Sequence, residues 1–284
     1  MNLSRLKNEF VSNLSEIYPV EEATSLFFIL VQSKLKLDRF EVALQPEKDI
    51  SEKVYSEFKK AMIRLGRHEP IQYVIGETEF YGLLFNVNEH TLIPRPETEE
   101  LVDWVLTDVK SSRSNHMQIL DIGTGSGCIA ISLAKGLINS HVSGLDVSKE
   151  ALKIAQKNAA LHDVKVDFSE IDIFEIDTLE IQYNLIVSNP PYVRALEKVA
   201  MKNNVLQYEP EIALFVSDDD PLIFYRKIIQ LAKNGLVEGG LLYLEINEYL
   251  SNELVTLLAK EGFCNIELKK DIFEKDRMIK ANRP

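Results

Sequence analysis

Residues 118–146 leave few folds open to this chain. Gln118-Ile119-Leu120-Asp121-Ile122 reads as a short buried strand, Gly123-Thr124-Gly125-Ser126-Gly127 as a turn, and Cys128–Ala134 as an apolar helix. His141-Val142-Ser143-Gly144-Leu145-Asp146 then reads as a second strand. Glycines let the backbone of such a turn pass close to a ligand, and the helix amino terminus behind it offers N–H groups to an anion. The spacing is G-x-G-x-G, whereas a dinucleotide fingerprint would need glycine at 128, where Cys128 stands as a small core residue of the helix. Asp146 follows Gly127 by 19 residues, and an acidic side chain there can accept both hydroxyls of a ribose. Strand, glycine turn, helix, strand and Asp in this order imply a nucleoside-containing cofactor.

A second stretch narrows the chemistry. The apolar run Tyr183–Ser188 is a further strand, and it delivers Asn189-Pro190-Pro191-Tyr192 at its carboxyl end. In open α/β sheets that end is where ligands bind. Both prolines fix φ and lack an N–H, and Pro191 pushes Pro190 toward an extended shape, so the turn is stiff. A planar NH2 group has two N–H donors, and the Asn189 side-chain oxygen with the Pro190 carbonyl can accept both. Tyr192 can cover the planar group. Alone, this tetrapeptide reads equally well as a proline-rich strand ending. Its partnership with the glycine turn favours a site.

The remaining sequence places these motifs in a two-part chain. Residues 1–72 read as helices, with one stripe through Leu3, Leu6, Phe10, Leu14 and Ile17. Further helices follow over 21–34 and 38–44, and Ile50–Leu65 carries a stripe through Val54, Phe58, Met62 and Leu65, stopping at Gly66. Residues 73–97 read as an extended, hairpin-bearing linker punctuated by Gly76 and Gly82. In Leu92-Ile93-Pro94-Arg95-Pro96-Glu97-Thr98-Glu99 the prolines hold an open loop, and Thr98 is expected to cap the next helix. Residues 98–284 then form the α/β domain. Within it the pattern predicts a helix over 149–161, a strand over 164–168 followed by Asp172 and Ile173, and a loop through Gln207-Tyr208-Glu209-Pro210. A helix over 222–234, a strand over 239–246, a helix over 251–261 and strands over 265–270 and 277–281 complete it.

Composition excludes several classes of function. Cys128 and Cys264 make neither a disulfide framework nor a zinc spacing, and the five histidines are scattered, so no metal site is expected. Leu26–Val31 is far too short to span a bilayer and no apolar leader follows Arg5 and Lys7, which points to a soluble cytoplasmic protein. The net charge is −12. Residues 1–72 are neutral and the whole excess lies beyond them, without the Lys/Arg stripe that phosphate-backbone binding needs.

The Gly-x-Gly-x-Gly turn, the strand-end Asp146 and the later Asn-Pro-Pro-Tyr resemble an S-adenosylmethionine-dependent amino-methyltransferase of the Rossmann-like class. Glu69-Pro70-Ile71-Gln72-Tyr73, Glu79-Phe80-Tyr81-Gly82, the Pro94-Arg95-Pro96-Glu97-Thr98-Glu99 stretch and Tyr208-Glu209-Pro210 extend this to nearly the whole chain. The wider set resembles the HemK/PrmC family, the N5-glutamine methyltransferases of peptide chain release factors. The resemblance implies a Rossmann-like methyltransferase sheet (fold class α/β) with a small helical-bundle domain at the amino terminus that helps dock a class I release factor. It implies that Gly123, Thr124, Gly125, Ser126 and Gly127 line the methionine part of the cofactor. Asp146 would hold the ribose, and Asp172 and Ile173 would border the adenine, although many relatives carry a bulkier residue in place of Ile173. Asn189, Pro190 and Tyr192 would be catalytic, and Asn189 would also contact the cofactor. Asn189 and Pro190 would bind the glutamine amide, with Pro191 and Tyr192 completing the substrate site. A monomer without direct nucleic-acid binding is expected. Two segments depart from the family pattern by lacking its glycines, Val216-Ser217-Asp218-Asp219-Asp220-Pro221 and Glu274-Lys275-Asp276-Arg277. The alternative reading is amino-methylation of adenine or cytosine in DNA or RNA, with Tyr192 stacking on a flipped base. A non-enzymatic cofactor-binding adaptor is the third.

Overall fold

The computed structural model describes residues 1–112, 116–201 and 203–284, which divide into two units. The first comprises Met1–Gly76 together with Asn203–Tyr208. The amino-terminal stripe forms α1 (Leu3–Leu14), capped by Asn2, whose side-chain oxygen accepts from Arg5 N at 2.9 Å. Ile17 was expected on this stripe, but the helix ends before it and leaves its side chain 40% exposed. Pro19 sets the start of α2 (Val20–Leu35). Asp38 and Glu41 form a reciprocal capping box on α3 (Arg39–Leu44), and Ser51 caps α4 (Glu52–Leu65). Phe10, Phe27 and Phe58 meet at the centre of the bundle, with ring centroids 5.6–6.1 Å apart and mostly edge-on.

Two segments differ from the sequence-based expectation. Tyr73 and Ile75 do not lie in extended chain but in the short helix α5 (Ile71–Ile75). Pro70 pre-sets its first turn, Gly76 ends it in the left-handed conformation, and Arg64 donates to the carbonyls of Tyr73 and Val74. Gln207 and Tyr208 are not loop either. They end the helix Asn203–Tyr208, whose Tyr208 hydroxyl donates to the Arg67 carbonyl at 2.7 Å.

The second unit comprises Glu77–Met201 and Glu209–Pro284. It opens with the hairpin β1 (Glu77–Phe80) and β2 (Leu83–Asn86), turned at Tyr81-Gly82 with both φ positive. Next, α6 (Pro96–Ser112) starts two residues before Thr98, because a proline at the first helical position loses no hydrogen bond. Thr98 is therefore inside the first turn and not its cap.

The following strands are β3 (Gln118–Ile122), β4 (His141–Asp146), β5 (Val166–Glu170), β6 (Tyr183–Ser188), β9 (Leu236–Glu245), β10 (Cys264–Lys270) and β11 (Asp276–Asn282), with the short pair β7 (Val193–Arg194) and β8 (Phe215–Val216) standing apart. The main sheet runs β10-β11-β9-β6-β3-β4-β5. Its five strands from β9 to β5 are parallel, and β11 is antiparallel to both its neighbours. The helices α7 (Cys128–Gly136) and α8 (Lys149–Leu161) follow β3 and β4. In the numbering of helices the segment 203–208 is α9, and α10 (Ile223–Gly235) and α11 (Ser251–Lys260) come after it. Alternate strand residues feed opposite faces. Ile119, Leu185 and Val187 pack with α6 and α7, whereas Leu120, Ile186 and Leu242 pack with α10 and α11. β5 begins two residues later than expected, since Val164 N–H still closes the end of α8 on the Ala159 carbonyl.

Phe27→Ala should remove about 3–5 kcal/mol from the helical bundle, since its ring is fully buried between two others. Denaturant unfolding followed by helix circular dichroism would check this, and a loss below about 1 kcal/mol would contradict it.

Candidate active site

β3 and β6 lie side by side and parallel, with Ile122 opposite Ser188. From β3 the chain moves to β4 on one side, while β6 has β9 on the other. The loops leaving the two strands must diverge, and a crevice opens at their carboxyl ends. It forms a mainly apolar cavity of about 370 Å3. Ile122, Leu145 and Ser188 reach it from the strand ends, and the Ser188 hydroxyl is held by the Ile122 carbonyl at 2.6 Å.

Of the residues singled out from sequence, Gly123, Thr124, Gly125, Ser126, Asp146, Asp172, Ile173, Asn189, Pro190 and Pro191 all line this cavity. Gly127 and Tyr192 do not. At Gly127, with φ +81°, a Cβ would lie 2.9 Å from Ile131 Cδ1 and 3.1 Å from Ala155 Cβ, so its role is the close approach of α7 to α8. Gly123 and Gly125 also have positive φ, but nothing stands within 4 Å of a Cβ there. The turn thus leaves free space over its backbone. Asp146 fixes the turn from the next strand: its two carboxylate oxygens accept from Gly125 N and Ser148 N, each at 2.8 Å. Each oxygen keeps a lone pair for a further donor. Burial raises the Asp146 pKa, and these two N–H bonds oppose the rise. The Ser126 hydroxyl is buried beside the Cys128 thiol. Asp172 caps its own turn through Phe174 N at 2.9 Å, while Phe174 and Phe224 supply aromatic wall with centroids 5.1 Å apart. These features fit a ligand with an adenosine and a charged amino-acid end.

On the β6 side, Asn189 donates its side-chain NH2 to the Thr98 hydroxyl at 3.2 Å, and that hydroxyl donates to Glu245 Oε2 at 2.6 Å. Tyr192 donates its hydroxyl to Glu245 Oε1 at 2.9 Å. Glu245 ends β9 and is 1% exposed. Burial raises its pKa, opposed by the hydrogen bonds from Thr98 and Tyr192 and by Arg277. Another buried carboxylate, Glu209, accepts from Ile93 N at 3.2 Å and from Arg95 Nη2 at 2.5 Å, which holds the Pro-Arg-Pro loop along the cavity. No motif marks Glu245, although a carboxylate inside the apolar run Leu241–Ile246 is a visible signal. Cys128 is no nucleophile, since burial pushes its thiol up to about 12.

Asp121, inside β3 below the turn, is fully buried. Burial lifts its pKa from 3.8 to about 7, reinforced by the charge of Asp146 and opposed by the Thr124 hydroxyl and the Ala130 N–H. A raised carboxyl pKa means that the fold favours the neutral form. Its contribution is complete below about pH 4 and is lost as pH rises to about 7. Asp121→Asn, neutral throughout, should therefore gain on the parent across that window, by roughly 2–4 kcal/mol above pH 7 without ligand. Denaturant melts of both proteins at several pH values would reveal this, and a pH-independent difference would refute it.

Comparison with known proteins agrees with this geometry. Residues 113–276 match the family described as Methyltransferase domain, and residues 6–76 match the PrmC N-terminal domain. A release factor glutamine methyltransferase of Flavobacterium psychrophilum is 49% identical over 99% of both chains. One of Bacteroides thetaiotaomicron is 42% identical, covering 99% of this chain and 100% of its own. Among solved structures, the T. thermophilus 16S rRNA N2 G1207 methyltransferase in complex with AdoMet and guanosine shares the fold. It has a TM-score of 0.53 and 18% identity, over 73% of this chain and 50% of that one. With a cofactor crevice of this form and relatives this similar over their full length, the chain belongs to the release factor glutamine methyltransferases, enzymes dependent on S-adenosylmethionine.

Proposed function

We propose that this enzyme methylates the N5 nitrogen of the glutamine in the Gly-Gly-Gln motif of class I peptide chain release factors, in the cytoplasm. The carrying observation is the orientation of Asn189. Its NH2 donates to Thr98, so we take its side-chain oxygen and the Pro190 carbonyl as the two acceptors, both residues lining the cofactor cavity. These two acceptors suit the two N–H donors of a primary amide.

S-adenosylmethionine supplies a methyl on a positively charged sulfur, an electrophile that needs no further activation. The turn Gly123–Gly127 would carry its methionine part, Asp146 the ribose, and Asp172 and Ile173 the adenine edge. An amide nitrogen is a poor nucleophile because its lone pair is delocalised, so the protein's work is placement. Near-attack placement can supply roughly 7–11 kcal/mol. Asn189 and Pro190 would hold the nitrogen in line with the methyl and favour the positive charge that grows on it. With S-adenosylmethionine bound, its methyl would pass from sulfur to this nitrogen, and the nitrogen's proton would go to water. Pro191 stiffens the turn, and Tyr192 acts through Glu245. The helical unit, which matches the PrmC N-terminal domain, would dock the release factor.

Mass spectrometry of a release factor incubated with the enzyme and S-adenosylmethionine should find one added methyl on that glutamine. Transfer to DNA or RNA instead, with steeply salt-dependent binding, would establish base methylation, which the net charge of −12 disfavours. Asn189→Ala should lower kcat about 100- to 1,000-fold, by analogy with loss of one oxyanion-hole donor, while cofactor affinity stays within about 3-fold. Near-normal turnover would remove Asn189 from its role.

A further inference from the structure

An asparagine amide can face a partner with either end, and only one end makes Asn189 an acceptor for substrate. We infer that Thr98 and Glu245 are positioning residues that set this choice, with the buried Glu245 carboxylate dictating the polarity of the Thr98 hydroxyl and Thr98 dictating the face of the Asn189 amide. The inference rests on the proposed amide chemistry and names what prepares Asn189 for it.

A carboxylate only accepts hydrogen bonds, and a threonine hydroxyl has a single proton. That proton is used on Glu245 Oε2 at 2.6 Å, so Thr98 has only lone pairs left for Asn189 at 3.2 Å. Asn189 must then present its NH2 to Thr98, and its oxygen is turned to the other side. The opposite flip would set two acceptors face to face and would offer the substrate NH2 a donor. The second carboxylate oxygen is occupied by the Tyr192 hydroxyl at 2.9 Å, so Glu245 cannot swing away from Thr98 without breaking both bonds.

The backbone makes the relay rigid. Ser188 in β6 pairs with Leu244 in β9, so the next residues, Asn189 and Glu245, leave neighbouring strands at one level. Thr98 reaches them from the first turn of α6, where its own N–H is bonded to the Arg95 carbonyl at 3.1 Å. The Asn247 side chain donates to the Tyr192 carbonyl at 3.0 Å, which closes the loop behind the relay. Asn189 is thus the only member of the chain Glu245–Thr98–Asn189 that lies partly exposed.

The test separates hydroxyl chemistry from packing. Thr98→Val keeps the shape of the side chain and removes the hydroxyl, whereas Thr98→Ser keeps the hydroxyl and removes a methyl. Thr98→Val should lower kcat for release-factor methylation about 10- to 100-fold, with the S-adenosylmethionine dissociation constant within about 2-fold of the parent. Thr98→Ser should retain most of the parent kcat. A parallel fall of kcat and cofactor affinity, equal losses in both variants, or full activity in Thr98→Val would overturn the inference. A second readout needs no turnover. The side-chain 15N–H signals of Asn189, identified by their disappearance in Asn189→Ala, should include one slowly exchanging proton in the parent and in Thr98→Ser, and none in Thr98→Val. An exchange rate indifferent to the Thr98 hydroxyl would overturn it. Failure of the parent to methylate any glutamine would sink the proposed function alone, and the exchange measurement would still decide the relay.

Discussion

The parallel pairing of β3 with β6 is the constraint on which the site depends. Parallel neighbours end on the same side of a sheet, so the glycine turn and the Asn-Pro-Pro turn are delivered to one rim although 61 or more residues separate them in sequence. Were either strand reversed, a carboxyl end would face the opposite rim and the two motifs would never meet. The fully buried Ile119, Leu120, Leu185 and Ile186 hold the pair, and the Ser188 hydroxyl on the Ile122 carbonyl adds a cross-strand bond at the last register position. The cavity at the carboxyl ends of β3 and β6 is built on that pair.

Polar groups within the apolar sheet do the fine positioning. Glu245, Glu209 and Asp121 are each almost wholly buried, yet they serve differently. Glu245 and Glu209 have donors on both oxygens and act as fixed points for side chains and loops. Asp121 lies below the cofactor turn, where burial outweighs its hydrogen bonds. Buried carboxylates are costly unless satisfied, which is why the donors around the first two are so complete.

The core of the fold was legible because its signals are local. β3, β4, β6 and α8 fall where apolar runs and glycine or serine boundaries put them. Ten of the residues proposed for the site line one cavity, since strand-end motifs carry their location with them. What was missed depends on partners distant in sequence. Thr98 looked like a helix cap because the pattern does not reveal that Pro96 starts the helix or that Glu245, 147 positions away, accepts its hydrogen bond. The helices α5 and α9 read as extended chain or loop because each is a turn or so long and is fixed by groups outside it, the Arg64 guanidinium and the Arg67 carbonyl.

The Arg95–Glu209 pair has a consequence for how such a chain can drift. Glu209 holds the Arg95 guanidinium and the Ile93 N–H at once, so it carries charge balance and loop shape in one side chain. Losing Arg95 alone strands a buried anion, and losing Glu209 alone frees a cation beside the cavity and orphans a backbone donor. Swapping the two residues would leave Ile93 N–H without its acceptor. The two positions are therefore coupled, and a change at one should favour a change at the other across descendants of this sequence.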